Sequence, residues 1–143
     1  MRKIRDIVRN SDGAAIIEFA LVGPLVIAMM IAVLQLGMMM QSYNAVRSVT
    51  AETARFALVE YQKGNTPNNA TIREAAIDIA DGAPYLMNPT NLKVEVSDAG
   101  VQRVDRAKEL TVNISYQAPS FLPFFDWVTP AVSHERPIFL LDN

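Results

Sequence analysis

The chain has no cysteine and a single histidine among its 143 residues. Without cysteine no disulfide can form in any compartment, so whatever folds here holds by packing and hydrogen bonding alone. The same lack removes a thiol nucleophile and the sulfur ligands of a structural zinc site. His134 stands among polar residues with no second ligand at metal spacing, which reads as a surface or loop residue. No Gly-rich phosphate loop and no nucleophile-elbow serine is present. Glu95 and Glu109 alternate with apolar neighbours, which places them on the solvated side of strands. The expectation is a protein that is not an enzyme and takes no cofactor or metal.

Charge is the second scarcity. Between Asp12 and Arg47 the only charged side chain is Glu18, and from Phe19 to Met40 the one clearly polar residue is Gln35. A run of about 20 apolar residues is enough to span a bilayer as a helix. The first thirteen residues carry Arg2, Lys3, Arg5 and Arg9 against Asp6 and Asp12, whereas the remainder is net acidic. Positive charge beside a membrane segment stays cytoplasmic, so the chain is expected to cross once, N-terminus inside and C-terminal part outside. An acidic remainder is a poor match for nucleic acid.

The run is too long for an ordinary secretory signal, whose apolar region is roughly 7 to 15 residues. QSYNAVRSVTAETARF, which follows it, offers no clear cleavage site, while Gly13, Ala14 and Ala15 precede it. Any cut therefore belongs at the junction of basic leader and apolar helix, and the helix stays on the mature protein.

A short basic leader, a glycine, four small or apolar residues, then Glu-Phe and a long apolar helix resembles a type IVb prepilin. GAAIIEFALVGPLV is similar in more detail to the TadE-like minor pilins, or pseudopilins, of tight-adherence (Flp) pilus systems. AVRSVTAETARFAL, residues 45 to 58, also resembles that family's small-residue helix with its Ala-Arg-aromatic-Ala ending. The resemblance covers roughly residues 9 to 60. It implies scission between Gly13 and Ala14 by a prepilin peptidase, an assembly role for Glu18 and Phe19, and a helix proline at Pro24. Implied partners are the major pilin, other pseudopilins and the inner-membrane pilus assembly platform, with the chain in the bacterial inner membrane and its C-terminal part periplasmic. The competing reading is an uncleaved single-pass envelope protein with a periplasmic binding head.

Glu18 raises a physical question of its own. An ionised carboxylate at a membrane helix centre is disfavoured by about 2.5 to 3.5 kcal/mol, which drives it toward protonation or a partner. Residues 13 through 46 hold no Lys or Arg. Cleavage after Gly13 would create an amine at Ala14, mostly protonated at neutral pH. That amine lies roughly 6 Å along the helix from its own Glu18, and the resemblance implies pairing with the Glu18 of a neighbouring subunit. Further along, Pro24 deprives the Ala20 carbonyl of its donor and Gly23 loosens the backbone beside it, so a kink or stretched turn is expected there.

Beyond Met40 the pattern turns amphipathic to about Tyr61, with Val46, Val49, Thr53 and Phe56 on one stripe. The expected organisation is a leader at 1–13, a helix at 14–61 that is transmembrane to 40 and amphipathic beyond, and a soluble α+β head at 62–143. KGNTPNN ends the long helix, and Thr71 and Glu74 fit a capping box opening a short helix with Ile72, Ala75, Ala76 and Ile79 on one face. LKVEVS at 92–97 and ELTVNISY at 109–116 alternate as strands, and RPIFLL is a plausible third. Three strands with one apolar face need helical cover. The aromatic stretch APSFLPFFDWV is expected to plug the core, with an exposed contact loop at 121–127 as the alternative.

Overall fold

The computed structural model describes residues 11–104, 106–120 and 131–141. Residues 1–10 of the basic leader and most of the aromatic stretch APSFLPFFDWV, with the expected loop at 121–127, therefore lie outside the described residues. The chain divides into two units, one ending at Leu36 and the other running from Gly37 to Asn143. Helix α1, Ser11–Gln62, contributes to both.

In the first unit α1 continues as helix through Gly23 and Pro24. None of its most apolar window is buried against the rest of the chain. By length and composition this helix can cross a membrane.

The second unit is α+β. After α1 come helix α2 (Asn69–Asp81), a 3₁₀ turn (Pro89–Asn91) and strands β1 (Leu92–Asp98), β2 (Ala107–Gln117) and β3 (Ala131–Leu141). The strands form an antiparallel meander in the order β1-β2-β3. Period-two alternation sends Leu110, Val112, Ile114 and Tyr116 of β2 to one face, where Val94, Val132, Ile138 and Leu140 join them. The α1 stripe of Val46, Val49, Ala54 and Ala57 and the α2 stripe of Ile72, Ala76 and Ala80 cover that face.

Thr50 and Thr53 are buried in the same stripe without leaving an orphan hydroxyl, since each donates to the carbonyl four residues back, Val46 at 2.7 Å and Val49 at 2.8 Å. Gly64 closes α1. Its φ of +82° lets the Asn65 amide donate to the Glu60 carbonyl and its own amide to the Tyr61 carbonyl, each at 3.0 Å, a Schellman end. The Glu60 side chain accepts from Lys63 and Asn65 as well, and Lys63 foremost holds its carboxyl below the usual range.

Two local features differ from the sequence expectation. The cap of α2 is Asn68, whose side chain accepts from the Thr71 amide at 2.8 Å, so the helix starts before the Thr71-Glu74 pair. Strand β3 begins at Ala131 rather than Arg136, which places His134 in a strand opposite Ile114. Pairing with β2 extends it through Ser133-His134-Glu135-Arg136, a stretch with no apolar alternation of its own to announce a strand.

Candidate functional site

The residues singled out for processing and assembly all lie on α1 within the first unit, and helical spacing sorts them into neighbours. Ala14 and Glu18 are one turn apart on one face, as are Phe19 and Gly23, and Ala20 and Pro24. Glu18 and Phe19 are both exposed, Phe19 to 78% of its surface. Glu18 makes no ion pair among the described residues, and no basic residue lies between it and Arg47.

The two glycines differ in what surrounds them. A side chain added at Gly23 would meet the Phe19 ring at 3.8 Å, an ordinary contact. One added at Gly13 would meet nothing within 4 Å. Glycine inside a helix costs about 1 kcal/mol relative to alanine, and nothing in the packing of α1 asks for it at position 13. At Pro24 the missing amide leaves the Ala20 carbonyl without its i+4 donor while the helix carries on.

Exposure on this scale is unlike a folded core. Ile16, Ile17, Leu21, Leu25, Met29, Met30, Val33 and Leu34 all stand out from the helix on every side. An all-round apolar helix is satisfied only in lipid or among other helices. Residues 13–55 match the model of a family described as TadE-like protein. That segment is similar to TadE-like proteins. The match covers under half of the chain and takes in the apolar part of α1, which by length and composition can cross a membrane. No curated protein and no solved structure gives a significant match.

The folded unit contains one polar cluster that the sequence pattern misplaced. Glu109, expected on the solvated side with Glu95, retains only 2% of its side-chain exposure. The loop between β1 and β2 folds back over it. Arg103 donates from its backbone amide to Glu109 Oε2 at 3.1 Å and from Nε to Oε1 at 2.8 Å, with a second guanidinium nitrogen on the same oxygen. Gln102 accepts from the Glu109 amide at 2.6 Å, and Ala99 donates to the Glu109 carbonyl at 2.9 Å. The guanidinium also lies over the Phe139 ring, 5.6 Å from its centre. Arg103 holds the Glu109 carboxyl below the usual carboxylate range, and Glu109 in turn raises the guanidinium. Glu95 stays exposed and pairs with Lys93 at 2.6 Å. The signal that separates the two acids is Gln102-Arg103, a hydrogen-bonding pair within a short loop's reach of Glu109 and with no equivalent beside Glu95.

Among the described residues no group of three or more His, Asp or Glu side chains is arranged to hold a metal ion. His134, with Arg136, lines a groove of about 650 Å³ beside Asn44, Arg47, Ser48 and Ala51.

Proposed function

We propose that this chain is a minor pilin, or pseudopilin, of a tight-adherence type IVb pilus: a membrane-inserted precursor cut between Gly13 and Ala14 by a prepilin peptidase, whose freed helix packs among other pilin helices to support assembly, adhesion or secretion. The observation that carries the reading is an apolar helix exposed on every side with a single acid, Glu18, one turn from the prospective new terminus. Gly13 supports it too, because a glycine that the helix does not need fits a residue read by a peptidase. The folded unit then lies on the periplasmic side of the inner membrane, as the basic leader favours.

In this reading the Ala14 amine and Glu18 exchange partners between subunits. Either charge alone in an apolar bundle is costly, so a neighbour in the wrong register leaves two unpaired charges and is rejected. Phe19 and Pro24 would shape the adjoining turns, with the Ala20 to Pro24 turn yielding as subunits pass from bilayer to fibre. Major pilin, sibling pseudopilins and the assembly platform are the partners.

Intact mass of the mature protein tests the first step. In cells with the peptidase, residues 1–13 are expected to be lost, and Gly13→Val is expected to retain them. A mature chain that keeps residues 1–13 with the peptidase active overturns the proposal in favour of an uncleaved envelope protein. Glu18→Gln is expected to lower incorporation into sheared fibres at least about tenfold while leaving cleavage intact. Normal incorporation would remove Glu18 from the mechanism.

A further inference from the structure

The turn that follows α2, residues 82–88, holds one leucine outward at a cost in backbone conformation. Leu86 has φ +48°, a left-handed value that side chains of its size rarely take, and it is 74% exposed. Its neighbours are fixed. The amides of Tyr85 and Leu86 both donate to the Gly82 carbonyl at 3.0 Å, and the Met87 amide donates to Ala80 at 2.9 Å. Tyr85 donates its hydroxyl to Glu52 of α1 at 2.7 Å, and the Met87 side chain is buried. Asn88 caps the following 3₁₀ turn through Thr90. With both flanks tied down, the strained residue is the one large apolar side chain of the turn that stands exposed, and such strain marks sites where a side chain's direction matters.

What Leu86 stands beside gives its direction a meaning. It shares a cleft of about 180 Å³ with Met38, Gln41 and Ser42 of α1 and with Pro119. Met38 belongs to Met38-Met39-Met40, where the membrane-length run of α1 gives out. Tyr43, one turn on, is 43% exposed, as a ring at a lipid boundary would be. The three segments that meet here also lack charge: residues 19–46, 82–92 and 117–120 contain no Asp, Glu, Lys or Arg. Val101, another strongly exposed apolar residue of the folded unit, sits instead in a loop with Arg103 and Arg106.

We infer that the 82–88 turn is a second membrane contact, with Leu86 inserted at the boundary between headgroups and acyl chains of the leaflet from which α1 emerges. The inference rests on the membrane reading of α1 above. A lipid surface suits the patch better than a protein does, because one leucine and a shallow cleft fall far short of the roughly 1,600 Å² that a stable protein interface buries. A single side chain is enough for an interfacial contact already anchored by a spanning helix.

The cysteine-free sequence makes the test direct. Single cysteines at Leu86, Leu25 and Val101 of the full chain are labelled with an environment-sensitive fluorophore in vesicles of zwitterionic and anionic phospholipid, some spin-labelled near the headgroup and some near the chain end. The expected result is a Leu86→Cys label quenched by the headgroup-proximal spin label about twofold more than by the deep one. The Leu25→Cys label should be quenched by the deep spin label, and the Val101→Cys label by neither. A quenched Leu25 site with an unquenched Leu86 site overturns the inference alone, as does a blue-shifted but unquenched Leu86 label, which would mean that protein covers it. Equal quenching at Val101 and Leu86 overturns it as well, since the contact would not belong to this turn. An unquenched Leu25 site instead defeats the membrane reading on which the inference stands.

Discussion

Two stretches of the same helix, residues 11–36 and 37–62, are both rich in apolar side chains and meet opposite fates. In the first, Ile16, Leu21, Val33 and their neighbours stand exposed, and in the second Val46, Val49 and Ala57 are sealed against a sheet. The difference lies in periodicity rather than in hydrophobicity. The second stretch gathers Val46, Val49, Ala54 and Ala57 on one stripe and puts Arg47, Glu52 and Arg55 elsewhere, so one sheet face can bury that stripe. The first is apolar all round, and a sheet of three strands covers one side of a helix at most. Among the described residues nothing covers it, and an all-round apolar surface suits lipid or other helices.

The sharpest way to break this comparison is to cut the same methylenes from both stretches' environments. Ile114→Ala, in the middle of β2 and fully buried, is expected to destabilise the folded unit by about 2 to 5 kcal/mol. Ile27→Ala, in the exposed stretch, is expected to leave that unit's unfolding unchanged. Denaturant titration of the full chain in detergent micelles, followed by circular dichroism of the sheet, compares the two. Equal losses would mean that the first stretch contributes to the fold of the second unit.

A smaller effect is expected at the start of α2. Asn68→Ala removes the side-chain acceptor of the Thr71 amide and should cost about 1 kcal/mol, whereas Thr71→Ala should cost less because the cap remains. The reverse order in the same titration would restore Thr71 as the capping residue. Gly64→Ala belongs at a similar level, since alanine at φ +82° strains the Schellman end by about 1 kcal/mol.

How far the sequence could be read follows from the range of the forces involved. Alternation in LKVEVS and ELTVNISY foretold the core face of β1 and β2, and the α+β class followed from three strands needing helical cover; both depend on neighbours a few residues away. Strand β3 was legible only from Arg136 onward, because His134 and Arg136 occupy the face that Ile114 and Val112 make apolar on β2, and only the pairing places them there. Asn68 lost out to Thr71-Glu74 because only the latter has the capping-box spacing, whereas Asn68 caps through its side chain with no glutamate three residues on to mark it. Of the candidate site, Gly13, Ala14, Glu18 and Phe19 were legible as a motif with a resemblance. The exposed placement of Glu18, with no ion pair among the described residues, adds the physical need for a partner and no partner's identity.

Glu109 shows the limit of alternation most plainly and yields the last test. On β2 it shares the outer face with Thr111 and Asn113, yet Ala99, Gln102 and Arg103 of the loop after β1 close over it and supply an arginine. Because Arg103 lowers its pKa in the folded chain, the carboxylate's contribution is fully present above the ordinary glutamate range. It is lost as pH falls through the lowered folded value, where protonation removes the ion pair and leaves the guanidinium stacked on Phe139 alone. Amide exchange at Ala99 and Arg103, corrected for the intrinsic pH dependence, should therefore quicken below that range while amides in the middle of β2 hold. Glu109→Gln should exchange faster at neutral pH and lose the acid-dependent step, since a neutral amide keeps the loop's acceptor but not its charge. Protection of the loop that does not change with pH in the unmodified chain would assign the closure to Gln102, whose side chain brackets Glu109 through the backbone and carries no titratable group.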